Sequence, residues 1–66
     1  MEFEIIDCNG TSWELFFGDS NWGKLFFQGQ FIQNFDNEVD AIAYVENQTG
    51  SPIQSSQRVD NWRIQL

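Results

Sequence analysis

Carboxylates are the only abundant groups in this chain that could do chemistry: ten Asp and Glu stand against three Lys and Arg and no His, for a net charge of -7 over 66 residues. Paired carboxylates can act as general acid and base or hold a hard cation. The densest group is Asp36, Glu38 and Asp40. Its D-x-E-x-D spacing resembles the start of a calcium loop, but Ala41 stands where such a loop needs glycine and Asn47 where it needs a bidentate glutamate. The same residues open an amphipathic run in which acids meet the positive end of a helix macrodipole, so helix capping is their expected role.

Nucleophilic catalysis is no better supplied. An activated Ser, Thr or Cys needs a base beside it, and the chain has no His to be that base. Cys8, the single thiol, follows Asp7, a poor neighbour for a thiolate. One cysteine forms no intramolecular disulfide, and the usual zinc sets lack their histidines. The sequence contains neither a glycine-rich phosphate loop nor a dinucleotide fingerprint. A protein that is not an enzyme and takes no metal or cofactor is the expectation.

Seven Phe and three Trp are the other conspicuous content. Aromatics on a sheet can stack single-stranded nucleic acid, which makes Phe16, Trp22 and Phe26 candidates for that use. Lys24, Arg58 and Arg63 are too few to neutralise several phosphates, so direct nucleic-acid binding is not expected. Trp13, Trp22 and Trp62 could also form sugar platforms, although tryptophans at strand positions more often fill a core.

Such side chains need elements to place them. A chain of this length supports one domain, residues 1–66, with one core. Residues 3–7 and 12–17 are rich in β-branched and aromatic types and flank Asn9-Gly10, which predicts a hairpin. A three-residue loop with Gly10 as its left-handed residue pairs Ile5 with Trp13 and Phe3 with Leu15, collecting Phe3, Ile5, Trp13, Leu15 and Phe17 on one face. A two-residue loop would separate them. Leu15-Phe16-Phe17-Gly18 is echoed by Leu25-Phe26-Phe27-Gln28-Gly29, which predicts a neighbouring strand over residues 22–28 with Leu15 facing Leu25 and Trp13 facing Phe27. Gly29 is expected to bend or bulge that strand before Phe31-Ile32-Gln33 continues it.

Val39, Ile42, Val45 and Thr49 recur at spacings of three and four, predicting a helix over residues 38–48 with Asp36 or Asn37 as N-cap and Gly50 then Pro52 as the stop. Residues 51–57 read as a polar loop. Trp62, Ile64 and Leu66 alternate with polar residues, so 59–66 reads as a closing strand. The fold class is α+β in the order β-β-β-α-β: a three-stranded antiparallel meander, one helix packed on one face, and a final short strand.

The first residues lack the basic and apolar regions of a signal peptide, and no apolar run approaches the roughly 20 residues that span a bilayer. The expected location is cytoplasmic, away from membranes. Asn9-Gly10-Thr11 and Asn47-Gln48-Thr49 match the glycosylation sequon, but Asn9 is better explained as a turn residue.

In the preferred register Ile6, Phe16 and Phe26 point away from the helix, beside Glu4, Glu14 and Lys24, on a face that would ordinarily be polar. Either the 51–58 loop or the last strand wraps over these side chains, or a partner protein or second copy of the chain does. The leading reading is a small, acidic, non-enzymatic regulatory or accessory domain that binds another protein, one with a basic surface. Phe16, Phe26 and Ile6 would be its apolar anchors, and Glu2, Glu4, Glu14 and Asp19 a steering rim. A homodimer through the same face is the related possibility. The alternative is an acidic nucleic-acid mimic that inhibits a nucleic-acid-binding protein, with Asp19, Asp36, Glu38, Asp40 and Glu46 imitating phosphates.

Overall fold

The computed structural model describes residues 1–18 and 22–59. They form β1 (Glu2–Ile6), β2 (Ser12–Phe17), β3 (Gly23–Phe27), β4 (Gln30–Phe35), α1 (Glu38–Thr49) and β5 (Ser55–Arg58). All strand pairs are antiparallel, in the order β4-β3-β2-β1-β5. The α+β class and the sequence of meander, helix and closing strand therefore hold.

The first hairpin takes the bulged register, with Ile5 opposite Trp13 and Phe3 opposite Leu15. Gly10 has φ +81°, a conformation that side chains other than glycine rarely adopt. Asp7 organises the loop. Its backbone N–H donates to Thr11 O at 3.0 Å, and Gly10 N–H donates to Asp7 O at 2.9 Å. Its Oδ1 accepts from the amides of Asn9 and Thr11, and its Oδ2 from Trp13 Nε1, each at 2.9 Å. The Trp13 indole and the Thr11 amide hold the carboxyl below its ordinary value of 3.8. Burial opposes them and the Asn9 amide adds to them. Cys8 is half-buried, and its carbonyl accepts from Gln54 Nε2 at 3.3 Å.

β2 and β3 pair as the internal echo requires, Leu15 with Leu25 and Trp13 with Phe27. Beyond Phe27 the structure departs from a single bent strand. Gln28 at φ +51° and Gly29 at φ +82° make a two-residue turn of the kind that matches strand twist, and the chain returns as β4. A bulge opposite Leu25/Phe26 then shifts the register, so that Phe26 faces Phe31 and Leu25 faces Gln33. The extra residue, Ile32, packs against the core.

Leu15 and Leu25 face each other across β2 and β3, and with Ile5 of β1 they are fully buried together with Ala41 and Val45 of α1. At about 1.5–3 kcal/mol for each large aliphatic side chain, this layer is the main source of stability. Trp13 packs on Phe27, at a centroid distance of 4.4 Å, and on Tyr44, which reaches Phe35 in turn. α1 has Asn37 as N-cap, its Oδ1 accepting from Asp40 N at 2.8 Å, and Gly50 as a left-handed C-cap. Val39 is 74% exposed. The spacing of three and four was right in kind, but the small Ala41, where helix and sheet approach, sets its phase.

The stretch expected as a polar loop contains β5. It pairs with β1, Ser56 opposite Ile5 and Gln57 opposite Glu4. Gln54 N–H donates to Ile6 O at 2.8 Å and Val59 N–H to Glu2 O at 2.9 Å, extending the ladder at both ends. Of the expected closing strand 59–66, residues 60–66 lie outside the described residues, as does Asp19.

Candidate functional site

Strand alternation gives the sheet two faces. Phe3, Ile5, Trp13, Leu15, Phe17, Leu25 and Phe27 occupy the face under α1. Glu2, Glu4 and Ile6 of β1, Ser12, Glu14 and Phe16 of β2, Lys24 and Phe26 of β3 and Phe31 of β4 occupy the other. Cross-strand pairing sets them in rows. Phe31, Phe26, Glu14, Glu4 and Gln57 form one row, and Asn34, Lys24, Phe16 and Glu2 the next.

The face divides by chemistry. On the β3 and β4 side, Phe26 and Phe31 meet edge to face, with centroids 5.8 Å apart and planes at 70°. Phe31 is 48% exposed and Phe16 45% exposed, while Phe26 is half-buried. On the β1 side stand three carboxylates. Glu4 faces Glu14 directly, an arrangement of like charges that opposes strand pairing. Glu4 Oε2 accepts from Ser12 Oγ at 2.9 Å, and Glu2 is only 6% exposed. A shallow hollow of about 380 Å³, lined by Glu2, Glu14, Phe16, Phe26 and Gly29, lies on the border between the two halves. A smaller one of about 90 Å³ is lined by Glu2, Glu4, Glu14 and Val59.

Five of the six candidate residues from the sequence, Ile6, Phe16, Phe26, Glu4 and Glu14, therefore share this face; the sixth, Asp19, falls outside the described residues. β5 extends the sheet beside β1 instead of wrapping over Phe16 and Phe26. Phe31 completes the aromatic group and was not reached from the sequence, because its position depends on the Gln28-Gly29 turn. The signal was present as two aromatic segments separated by the three residues Gln28-Gly29-Gln30, one of them glycine.

The acids considered for nucleic-acid mimicry are partly engaged inside the fold. Glu38 Oε2 accepts from Ser56 Oγ at 3.1 Å and Glu46 Oε2 from Ile53 N at 2.9 Å, tying α1 to β5 and its preceding loop. Among the described residues no three His, Cys, Asp or Glu side chains gather where they could hold a metal ion. No helix among them is long and apolar enough to cross a membrane. No protein-family model matches the chain, and neither a curated protein nor a solved structure matches it.

Proposed function

We propose that this chain is a non-enzymatic binding domain whose open sheet face docks another protein, with Phe16 and Phe26 as anchors, Phe31 beside them, and Glu2, Glu4 and Glu14 as the charged margin. The carrying observation is the exposure of Phe16 and Phe31, beside Phe26, on a sheet face that also carries Glu4, Glu14 and Lys24, next to a hollow shared with two glutamates. Large aromatics that already have their shape fixed by neighbours lose little conformational freedom on binding, which is why they dominate interface energetics. The facing Glu4 and Glu14 add a preference for positive charge, since a Lys or Arg laid between them relieves a repulsion present in the free domain. The favoured partner is thus a basic segment carrying apolar side chains, and its association is weakened by salt.

Selection from a displayed library of random peptides tests this without a known partner. The expected outcome is enrichment of Lys or Arg alternating with apolar residues, amide shifts on titration centred on Glu14, Phe16, Phe26 and Phe31, and loss of binding in Phe16→Ala with the fold retained. Shifts centred on α1, or peptides with no excess of basic residues, would refute the reading.

A further inference from the structure

β4 ends the sheet, and its backbone groups that face away from β3 meet no strand among the described residues. The alternation of an antiparallel ladder directs about half of its N–H and C=O groups to that open side. Proteins usually guard such an edge with charge, proline or brevity. Gln30–Phe35 has six residues, none charged and none proline or glycine, with a single bulge as its only irregularity. A short uncharged segment of this kind is the type that pairs readily with its own copy.

We propose that the β4 edge is a self-association edge, where a second copy of this chain pairs antiparallel, strand to strand, to continue the sheet. Charge distribution selects the occupant. Residues 20–35 contain one Lys and no Asp or Glu, although the whole chain carries -7. Two copies repel each other over most of their surface, and β3 with β4 is the part on which they can approach. A basic partner, by contrast, finds no charge within β4 itself to attract it.

A two-fold axis perpendicular to the sheet keeps the open faces of both copies on the same side. Phe31 of each copy then lies near the junction, and the two Phe26–Phe31 pairs become parts of one aromatic surface. The contact is small. The chain exposes 4439 Å², and a standard interface would take about 800 Å² from each partner, more than one six-residue strand and Phe31 supply. The dimer is therefore reversible, with a dissociation constant in the micromolar to millimolar range. Phe16 and the three glutamates take no part in it, so it stands apart from the binding-face reading.

Sedimentation of the full chain from about 10 μM to about 1 mM, at low and high salt, tests the proposal together with amide exchange in the concentrated sample. The expected mass rises toward that of a dimer, more readily in high salt because screening removes the repulsion between copies. Added protection should fall on Phe31–Phe35 amides. Q33E combined with N34E, both at exposed positions, places acid on the neutral edge and should leave a folded monomer. Phe16→Ala should dimerise as wild type does. A monomer at all concentrations in high salt would overturn the proposal, as would protection confined to other strands or a folded double variant that still dimerises. If the double variant does not fold, the location of protection in the wild type decides alone.

Discussion

Gly23 offers a sharp test of the packing beneath α1. It is buried on β3 opposite Phe17, and a Cβ built on it would sit 2.9, 3.0 and 3.1 Å from Cζ, Cε2 and Cδ2 of that ring. Carbon atoms settle at about 3.5–4.0 Å, so Gly23→Ala must drive the ring outward by roughly 0.7 Å. The ring also meets Phe3 edge to face at 6.2 Å, which restricts its retreat on that side. Two effects compete. Alanine removes the backbone entropy cost of a glycine in a strand, a gain of about 0.5–1 kcal/mol, whereas overpacking costs about 1–3 kcal/mol. The clash wins by roughly 1 kcal/mol at mid-range and by at most about 2.5 kcal/mol. With an unfolding entropy near 2.1 cal/mol/K per residue over 66 residues, each kcal/mol moves Tm by about 7 °C, so the expected fall is about 7 °C and at most about 18 °C. Thermal unfolding followed by circular dichroism at fixed protein concentration measures it. The same substitution made in a Phe17→Leu background should lose at least half of its effect, since the opposing ring is then gone. A stabilising Gly23→Ala, or a loss unchanged by Phe17→Leu, would show that the ring does not lie over Gly23.

Three further outcomes follow from the turns, the loop and the strand order. Gln28→Asn places at φ +51° a residue that tolerates the left-handed region better and should raise stability by about 0.5–1 kcal/mol, read from denaturant midpoints at unchanged slope. Asp7→Asn should destabilise the domain at neutral pH. The folded-state carboxyl lies below 3.8, so its contribution is complete above that value and is lost as pH falls through the lowered one; the gap between wild type and variant should narrow below about pH 4. Pulse-labelled exchange during refolding should protect amides of β2, β3 and β4 before those joining β1 to β5, because the former close through short turns.

Much of the sheet could be read from side-chain alternation, and the exceptions have physical causes. Asn9-Gly10 is a strong turn signal, and only one register buries Phe3, Ile5 and Trp13 together, so the β1 to β2 pairing and the placement of Ile6, Phe16, Glu4 and Glu14 followed. The repeated Leu-Phe-Phe fixed the partner of β2. Gln28 was illegible as a turn residue because glutamine has no preference for the left-handed region, and Phe31 was missed with it. β5 reads Ser-Ser-Gln-Arg and shows no apolar pattern; it is held by backbone hydrogen bonds to β1 and by Ser56 against Glu38, which alternation does not report. The part played by Asp7 was hidden because a carboxylate in a turn is usually solvated, whereas here Trp13, six residues away, closes over it.

The strand order also bears on how the domain survives its own synthesis. β1 is made first but lies between β2 and β5, and β5 lies some fifty residues later in the chain. Until residues 55–58 have been made, one side of β1 is an open edge on a nascent chain that already displays several aromatics. Glu2 and Glu4 lie on that strand, and an edge bearing two carboxylates within three residues repels the same strand of a neighbouring nascent chain. The carboxylates of β1 on the sheet face opposite α1 thus serve earlier as gatekeepers, guarding an edge that the finished fold no longer exposes.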